Sequence, residues 1–217
     1  MKVVFGIGAV ILLSLVVCIY RLECIQRAIS KGIPIDQSKR LNHALLIIDL
    51  QKDLTSPDGK MPMDLTQTDQ IIERLNKYLK TFLKPNTIVI YIQQQYEKNW
   101  LLNVLTNNAL LEQSRGVQLD ERLIGLKGAF YLKKQLRDAF SNPKLDEILA
   151  HNKVGHLWIS GIDASYCVNS TIEAAQQRNY KITVLEDLVG AKTKQKLAKQ
   201  MIKWKKKSIR IQSTTVE

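Results

Sequence analysis

The sequence predicts an α/β fold in which helices cover both faces of a parallel sheet. Short apolar runs rich in β-branched residues alternate with longer segments whose apolar residues recur at helical spacing. This alternation predicts a parallel sheet, because the crossover between parallel strands takes about a dozen residues or more and usually contains a helix. With 217 residues, the chain is long enough for one such domain and an appendage.

Six apolar runs are predicted as strands. The first, HALLIIDL at 43–50, is apolar at consecutive positions, which is typical of a strand that is buried on both faces. The remaining strands are predicted at 87–93, 129–133, 156–161, 181–187 and 208–213.

The segments between the strands predict helices. The helix at 66–83 has an apolar face, formed by Ile71, Leu75, Leu79 and Phe82. Further helices are predicted at 142–152, 166–178 and 193–205. The stretch 94–128 interrupts the alternation, and it suits either a site-forming loop or a peripheral helix.

The beginning of the chain predicts a membrane anchor. From Val3 to Tyr20 there are 18 residues without a charge, which as a helix would be about 27 Å long and close to the thickness of a bilayer core. A cleaved signal peptide is the alternative, but no small-x-small cleavage site follows. We therefore expect a transmembrane anchor at 1–22, a linker at 23–41 and a domain at 42–217.

The charges near this segment predict its orientation. Only Lys2 precedes the expected span, whereas Arg21, Arg27 and Lys31 follow it, which favours a single-pass membrane protein with its domain in the cytoplasm. Cysteine usage agrees, because Cys167 is the only cysteine of the domain and no disulfide framework is visible.

The net charge of +12 is concentrated near the end of the chain. Residues 192–210 contain nine Lys or Arg residues and no acid, on a segment whose apolar residues have helical spacing. A solvated basic face is the simplest interpretation, and contact with anionic lipid headgroups is the alternative for a tethered chain. We expect no nucleic acid partner, because no recognition motif accompanies the charge.

Three chemically capable side chains lie at or beyond the predicted strand ends. Asp49 is near the end of the first strand, Lys134 follows the third, and Cys167 follows the fourth in the first turn of a helix. Ligands of open parallel sheets bind beyond the carboxyl ends of the strands. Each residue alone also has an ordinary interpretation, as a turn former, a solvated lysine or a small core residue.

Together these residues predict nucleophilic catalysis. A thiol with its usual pKa of about 8.5 is mostly protonated at neutral pH and needs activation. A carboxylate can accept its proton, an ammonium and a helix N-terminus favour the thiolate, and backbone N–H groups at Tyr166 and Cys167 could hold an oxyanion. This set predicts a cysteine amidohydrolase.

The motifs LLIIDLQKDL, KQLRDAF and GIDASYCVNSTIEAA resemble the three signatures of the isochorismatase-like cysteine hydrolases, over residues 43–213. The resemblance implies a three-layer α/β/α sandwich around a six-stranded, mostly parallel sheet. It implies Asp49, Lys134 and Cys167 as the catalytic residues, with Lys134 chosen over its neighbour because the family lysine precedes the Phe of "AF" by six residues. It also implies a cis peptide at Ile162–Asp163.

The departures from the family pattern restrict the substrate class. Nicotinamidases of this family add a metal site of Asp and His residues, whereas the histidines of this chain, His43, His151 and His156, lack ligand spacing. We therefore expect no metal and no cofactor. Gln51 matches the Asp-x-Gln of metal-free members, and Asp163, Ala164 and Ser165 replace the usual small-Thr-Asp.

The expected function is hydrolysis of a C–N bond, amide or ureido, in a small molecule through a thioester on Cys167. One alternative is hydrolysis of an isochorismate-like vinyl ether with Asp49 as the acid, although such members generally lack the cysteine. The other is a tethered binding protein without turnover. Gln51, Tyr96 and Trp100 are candidates for substrate contact, on segments 54–63 and 96–116 or beside them. Oligomeric state is not readable from the sequence, and because relatives in this family often form dimers or tetramers, a homo-oligomer stays open.

Overall fold

A computed structural model describes residues 2–81 and 83–214, with side chains from residue 12 onward. Its strands are β1 (Asn42–Ile48), β2 (Thr87–Gln94), β3 (Phe130–Lys134), β4 (Val154–Gly161), β5 (Lys181–Val189) and β6 (Arg210–Gln212). Its helices are α1 (Lys2–Arg27), α2 (Lys52–Thr55), α3 (Leu65–Thr81), α4 (Trp100–Leu105), α5 (Lys144–His151), α6 (Cys167–Gln177) and α7 (Lys194–Lys206).

The six strands form one sheet in the order β3-β2-β1-β4-β5-β6, and all five neighbouring pairs are parallel. The predicted α/β class and the six-stranded sheet are therefore confirmed. Strand and helix ends differ from the sequence expectation by a few residues. Phe82, which we assigned to the apolar face of the helix predicted at 66–83, lies outside the described residues.

Alternate residues of β1 point to opposite faces of the sheet, as the period of a strand requires. Leu46 and Ile48 pack with buried side chains of α5, α6 and α7, whereas Leu45 and Ile47 pack with those of α3. The sheet is therefore the middle of three layers. Both of its faces are dry, which explains why the strands are apolar at consecutive positions.

The expected membrane anchor at 1–22 is wrong. In the described part of the chain, no helix combines the length and the apolar character that crossing a membrane requires. From Leu12, where side chains are described, the uncharged run ends at Tyr20, and α1 continues through Arg21 to Arg27. A span needs about 20 apolar residues. The expected single-pass localisation and its orientation are therefore wrong. The lipid contact expected of 192–210 depended on that anchor and is not supported.

The expected linker at 23–41 packs on the domain. The helix α1 ends at Arg27, and the residues that follow contact the guanidinium of Arg178, which is buried. Arg178 donates hydrogen bonds to the carbonyl oxygens of Ser30 (2.8 Å) and Lys31 (3.0 Å). A Cβ at Gly32 would lie 2.3 Å from Nε of Arg178, so this glycine permits the close approach.

The end of β4 approaches β1 closely at Gly161, just before the segment that leads to Cys167. Gly161 has φ +110°, and a Cβ there would lie 2.0 Å from the carbonyl oxygen of Ile48. The same carbonyl accepts the N–H of Ile162 at 2.9 Å. Only glycine fits both constraints, so this residue fixes where the chain leaves the sheet toward the site.

We expect Gly161→Ala to destabilise the protein by about 3 kcal/mol or more, because the new methyl group collides with backbone that cannot move independently. Thermal unfolding followed by circular dichroism measures the effect. Gly128→Ala is the matched control, since Gly128 also has a positive φ (+83°) but has no atom within 4 Å of an added Cβ. Its expected loss is about 1 kcal/mol, from backbone strain alone. Equal losses in the two variants would contradict the importance of the approach to Ile48.

Candidate active site

The functional side chains predicted from the sequence meet at the carboxyl edge of the sheet. Asp49 directly follows β1, Lys134 ends β3, and Cys167 begins α6 after β4. The strand between β1 and β3 is β2, and its last residue, Gln94, joins the group. Adjacent parallel strands that end at one edge therefore bring together residues from four parts of the chain.

Asp49 occupies a left-handed backbone conformation, with φ 56°. Asp and Asn tolerate this region better than other non-glycine residues. Its backbone N–H donates to the carbonyl oxygen of Ile92 at 2.9 Å. The carboxylate is buried, and its Oδ1 has no hydrogen-bond donor among the described groups. This side chain is thus held rigidly with one oxygen available.

Lys134 is buried, and two of the three N–H donors of its ammonium are paired with side-chain oxygens. Its Nζ donates to Oδ2 of Asp49 at 2.9 Å and to Oε1 of Gln94 at 2.6 Å. Burial by itself lowers the pKa of Lys134. The negative charges of Asp49 and of a Cys167 thiolate raise this pKa by more than burial lowers it, so the net shift is upward. Lys134 therefore stays an ammonium.

Gln51 is fully buried and acts as a clamp. Its Nε2 donates to the carbonyl oxygens of Gln94 (2.9 Å) and Val117 (2.6 Å), and its Oε1 accepts the N–H of Gln94 (2.8 Å). These bonds use the whole side-chain amide, so Gln51 holds Gln94 in place and does not line the cavity. Our expectation that Gln51 contacts substrate directly is therefore not supported.

The turn that precedes Cys167 is held by Asp163. The peptide bond Ile162–Asp163 is cis. The carboxylate of Asp163 accepts the N–H of Ser165 at 2.7 Å and that of Lys192 at 3.4 Å. Burial raises the pKa of this carboxyl. The turn is thereby connected to the loop between β5 and α7.

One of the two expected oxyanion donors is already committed. The backbone N–H of Tyr166 donates to the carbonyl oxygen of Asp163 at 3.0 Å. The N–H of Cys167, at the start of α6, has no backbone or side-chain acceptor among the described residues. The structure therefore offers Cys167 and not Tyr166 as a free donor, because the turn needs the Tyr166 bond to close.

Burial controls the electrostatics of the thiol. It raises the pKa of Cys167 to about 12, and although Lys134 acts to lower this pKa, the carboxylate of Asp49 acts to raise it. The sequence suggested that an ammonium and a helix N-terminus would favour the thiolate. In the folded protein, desolvation and Asp49 outweigh them, so the resting group is a neutral thiol.

The thiol faces a cavity of about 360 Å³. Its walls combine the site residues with apolar side chains and three cations: Asp49, Leu54, Met61, Met63, Gln94, Tyr96, Thr106, Leu110, Arg137, Asp163, Tyr166, Cys167, Lys192 and Lys196. Segments 54–63 and 96–116 both contribute to the wall. The stretch 94–128, which interrupts the alternation, therefore forms part of the cavity wall and also contains the short helix α4.

Tyr96 lies on this wall, and burial raises its pKa to about 12. Trp100 lies on α4 with 72% of its surface exposed and is not part of the wall, which does not support its expected substrate contact. The sequence analysis missed Gln94 and Arg137. Gln94 could have been found, because it directly follows the strand predicted at 87–93, whereas nothing in the sequence shows which way Arg137 points.

In the described part of the chain, no three His, Cys, Asp or Glu side chains are grouped as metal ligands. His43 and His156 lie near the amino ends of β1 and β4, with their ring centroids 5.3 Å apart. That position is at the opposite end of the sheet from Cys167.

Comparison with known proteins finds similarity to isochorismatase-family proteins. The isochorismatase domain model matches residues 43–215. The uncharacterized isochorismatase family protein YddQ of Bacillus subtilis is 28% identical over 152 residues, which cover 70% of this chain and 79% of that protein. Ureidoacrylate amidohydrolase RutB of Cronobacter sakazakii is 25% identical over 168 residues, covering 66% and 72%.

Among solved structures, a cysteine hydrolase from Pseudomonas syringae superposes with a TM-score of 0.71 at 19% identity, covering 86% of this chain and 93% of the other. That likeness bears out the three-layer fold. Because the family model covers most of the chain, and the motifs that define the resemblance converge on one cavity, the chain belongs to the isochorismatase family.

Proposed function

We propose that this protein hydrolyses a C–N bond of a small amide or ureido compound, with Cys167 as the nucleophile. The observation that carries the proposal is the buried pair of Asp49 and Lys134 beside a thiol that faces a cavity. An isochorismatase-family amidohydrolase agrees with the family match and with relatives named as ureidoacrylate amidohydrolases.

The first step is proton transfer coupled to attack. Because the pKa of Cys167 is raised to about 12, a free thiolate is scarce at neutral pH. The unpartnered Oδ1 of Asp49 accepts the thiol proton as Sγ forms its bond to the carbonyl carbon of the substrate. Asp49 thus acts as a general base.

The charge then moves to the carbonyl oxygen of the substrate. The backbone N–H of Cys167 donates to this oxyanion, and the N-terminus of α6 adds a favourable dipole. Lys134 stays charged throughout and compensates the negative charge that is shared by Asp49 and the thiolate. A buried cation is worth more here than in water, because the dielectric constant is low.

Collapse of the tetrahedral intermediate breaks the C–N bond. Asp49 returns its proton to the departing nitrogen, which leaves as ammonia or an amine, and an acyl thioester remains on Cys167. Water then attacks the thioester, Asp49 accepts a proton from that water, and Sγ leaves with a proton to restore the thiol. Atoms and charges balance over the cycle, and no cofactor takes part in any step.

We expect Asp49→Asn to make Cys167 more reactive toward iodoacetamide while it abolishes turnover. The Asp49 charge raises the thiol pKa, so its removal lets Lys134 lower that pKa and increase the thiolate population at pH 8 by about ten-fold or more. Asn accepts the left-handed backbone, and its amide oxygen can still accept a hydrogen bond from Lys134, which limits the loss of stability. Alkylation rates against pH, in a Cys18→Ser/Cys24→Ser background, measure the effect.

Asp163→Asn is the matched control for this experiment. It makes the same chemical change on the same cavity wall, and the amide oxygen of Asn can still accept the N–H of Ser165. The alkylation profile should then stay close to that of the background. A reactivity that falls in Asp49→Asn would contradict the proposed role of Asp49 in keeping the thiol protonated.

We expect ammonia release from a panel of primary amides and ureido acids, and its complete loss in Cys167→Ala. A coupled glutamate dehydrogenase assay measures the ammonia, and intact-protein mass spectrometry of acid-quenched reactions measures the acyl adduct on Cys167. Removal of a nucleophile with its base nearby should cost several orders of magnitude in rate. Full turnover in Cys167→Ala would refute the covalent mechanism.

A further inference from the structure

A segment outside the matched domain contacts the active-site loop. The family match begins at residue 43. Residues 23–30 nevertheless form hydrogen bonds with residues 135–138, the loop that directly follows Lys134. Both carboxylate oxygens of Glu23 accept hydrogen bonds from Nη2 of Arg137, at 3.0 and 2.8 Å. In the same segment, the backbone N–H of Ser30 donates to the buried carboxylate of Asp138 at 2.8 Å.

Arg137 connects this segment to the nucleophile. Its guanidinium carbon lies 4.7 Å from the ring centroid of Tyr166, the residue before Cys167. Both Arg137 and Tyr166 line the cavity. The Arg137 side chain is 17% exposed and that of Glu23 is 39% exposed, so the contact is only partly shielded from solvent and from salt.

We propose that Arg137 is a specificity-determining residue that binds an anionic group of the substrate, and that Glu23 sets its position and its effective charge. The inference rests on the proposed function, since it takes the cavity at Cys167 as the substrate site. The substrate class that follows is an amide or ureido compound with a carboxylate near the scissile bond. The segment before the domain is then part of the active site.

The chemistry of the guanidinium supports this role. Arg carries five N–H donors in a planar fork, and among the described contacts only Nη2 of Arg137 has an acceptor. The remaining donors, on Nε and Nη1, are available to an anionic group of the substrate. Lys192 and Lys196 add positive charge to the same wall, and the ammonium of Lys192 donates to the carbonyl oxygen of Pro62 rather than to a carboxylate.

Glu23 offsets part of this attraction. It places a negative charge against Arg137 and orients the guanidinium over Tyr166. A purely structural pair would fasten α1 to the domain, and its loss would change stability without changing which charge the cavity prefers. The proposal instead requires that the charge preference of the cavity responds to Glu23.

Two alkylating reagents separate these cases without a known substrate. Iodoacetate is anionic and iodoacetamide is neutral, and both react with the same sulfur. The ratio of their rates at Cys167 therefore cancels the thiolate fraction and reports the electrostatic potential in the cavity. The ratio is measured on the full chain in the Cys18→Ser/Cys24→Ser background, at low ionic strength.

We expect Glu23→Gln to raise the ratio of the iodoacetate rate to the iodoacetamide rate by about three-fold. Arg137→Gln should lower it by about three-fold, as expected for one unit charge acting over about 7 Å through water. The double variant should return close to the background value, because the two charges cancel. High salt should shrink all of these changes.

Glu173→Gln is the matched control, since it removes the same charge from a salt bridge, with Lys207, away from the cavity. Its ratio should equal that of the background. A reactive Cys167 whose ratio is indifferent to Glu23 in folded protein would overturn this inference alone. Full ammonia release by Cys167→Ala would instead overturn the proposed function, and with it any selection of substrate by Arg137.

Discussion

The site depends on the buried ion pair between Asp49 and Lys134. Taking two charges out of water costs several kcal/mol per ion, about as much as their attraction returns, so such a pair persists only when further hydrogen bonds complete it. Gln94 accepts a second hydrogen bond from the lysine, and Gln51 holds the backbone of Gln94 through two hydrogen bonds and is itself fixed by a third, to Val117. A weaker clamp would let Lys134 relax toward solvent and leave Asp49 as an isolated buried charge.

The same pair explains the state of the nucleophile. Asp49 and Lys134 act on the Cys167 pKa in opposite directions, and burial decides the net result in favour of the neutral thiol. Because the pair has no net charge, it places a proton acceptor beside the sulfur and leaves the thiol protonated. In the proposed mechanism, the sulfur becomes reactive only when the carbonyl carbon of the substrate reaches it.

Much of this arrangement follows from sequence, and the physical reason is the topology of parallel sheets. Once the strands before Asp49, Lys134 and Cys167 are recognised, the carboxyl-edge rule brings the three side chains together. What sequence could not supply were quantities set by packing. The pKa of Cys167 depends on burial, the loss of Tyr166 as a donor depends on one turn hydrogen bond, and Trp100 is exposed because α4 lies at the periphery.

The first 41 residues show the opposite case, in which local pattern was misleading. An uncharged run suggested a membrane span, but a hydropathy pattern contains no information about tertiary contacts such as those of Glu23 with Arg137 or Ser30 with Asp138. Those contacts order a segment that looked like a linker.

A protonated resting thiol also bears on how the enzyme survives between turnovers. Oxidation of cysteine follows thiolate character and exposure, and Cys167 is partly exposed to a cavity. With its pKa raised to about 12, the sulfur is a poor target for peroxide even though small molecules can reach it. A nucleophile with a lowered pKa would attack amides with less help but would be oxidised more easily. In the proposed mechanism, burial keeps the thiol protonated at rest, and Asp49 takes its proton only once substrate is bound.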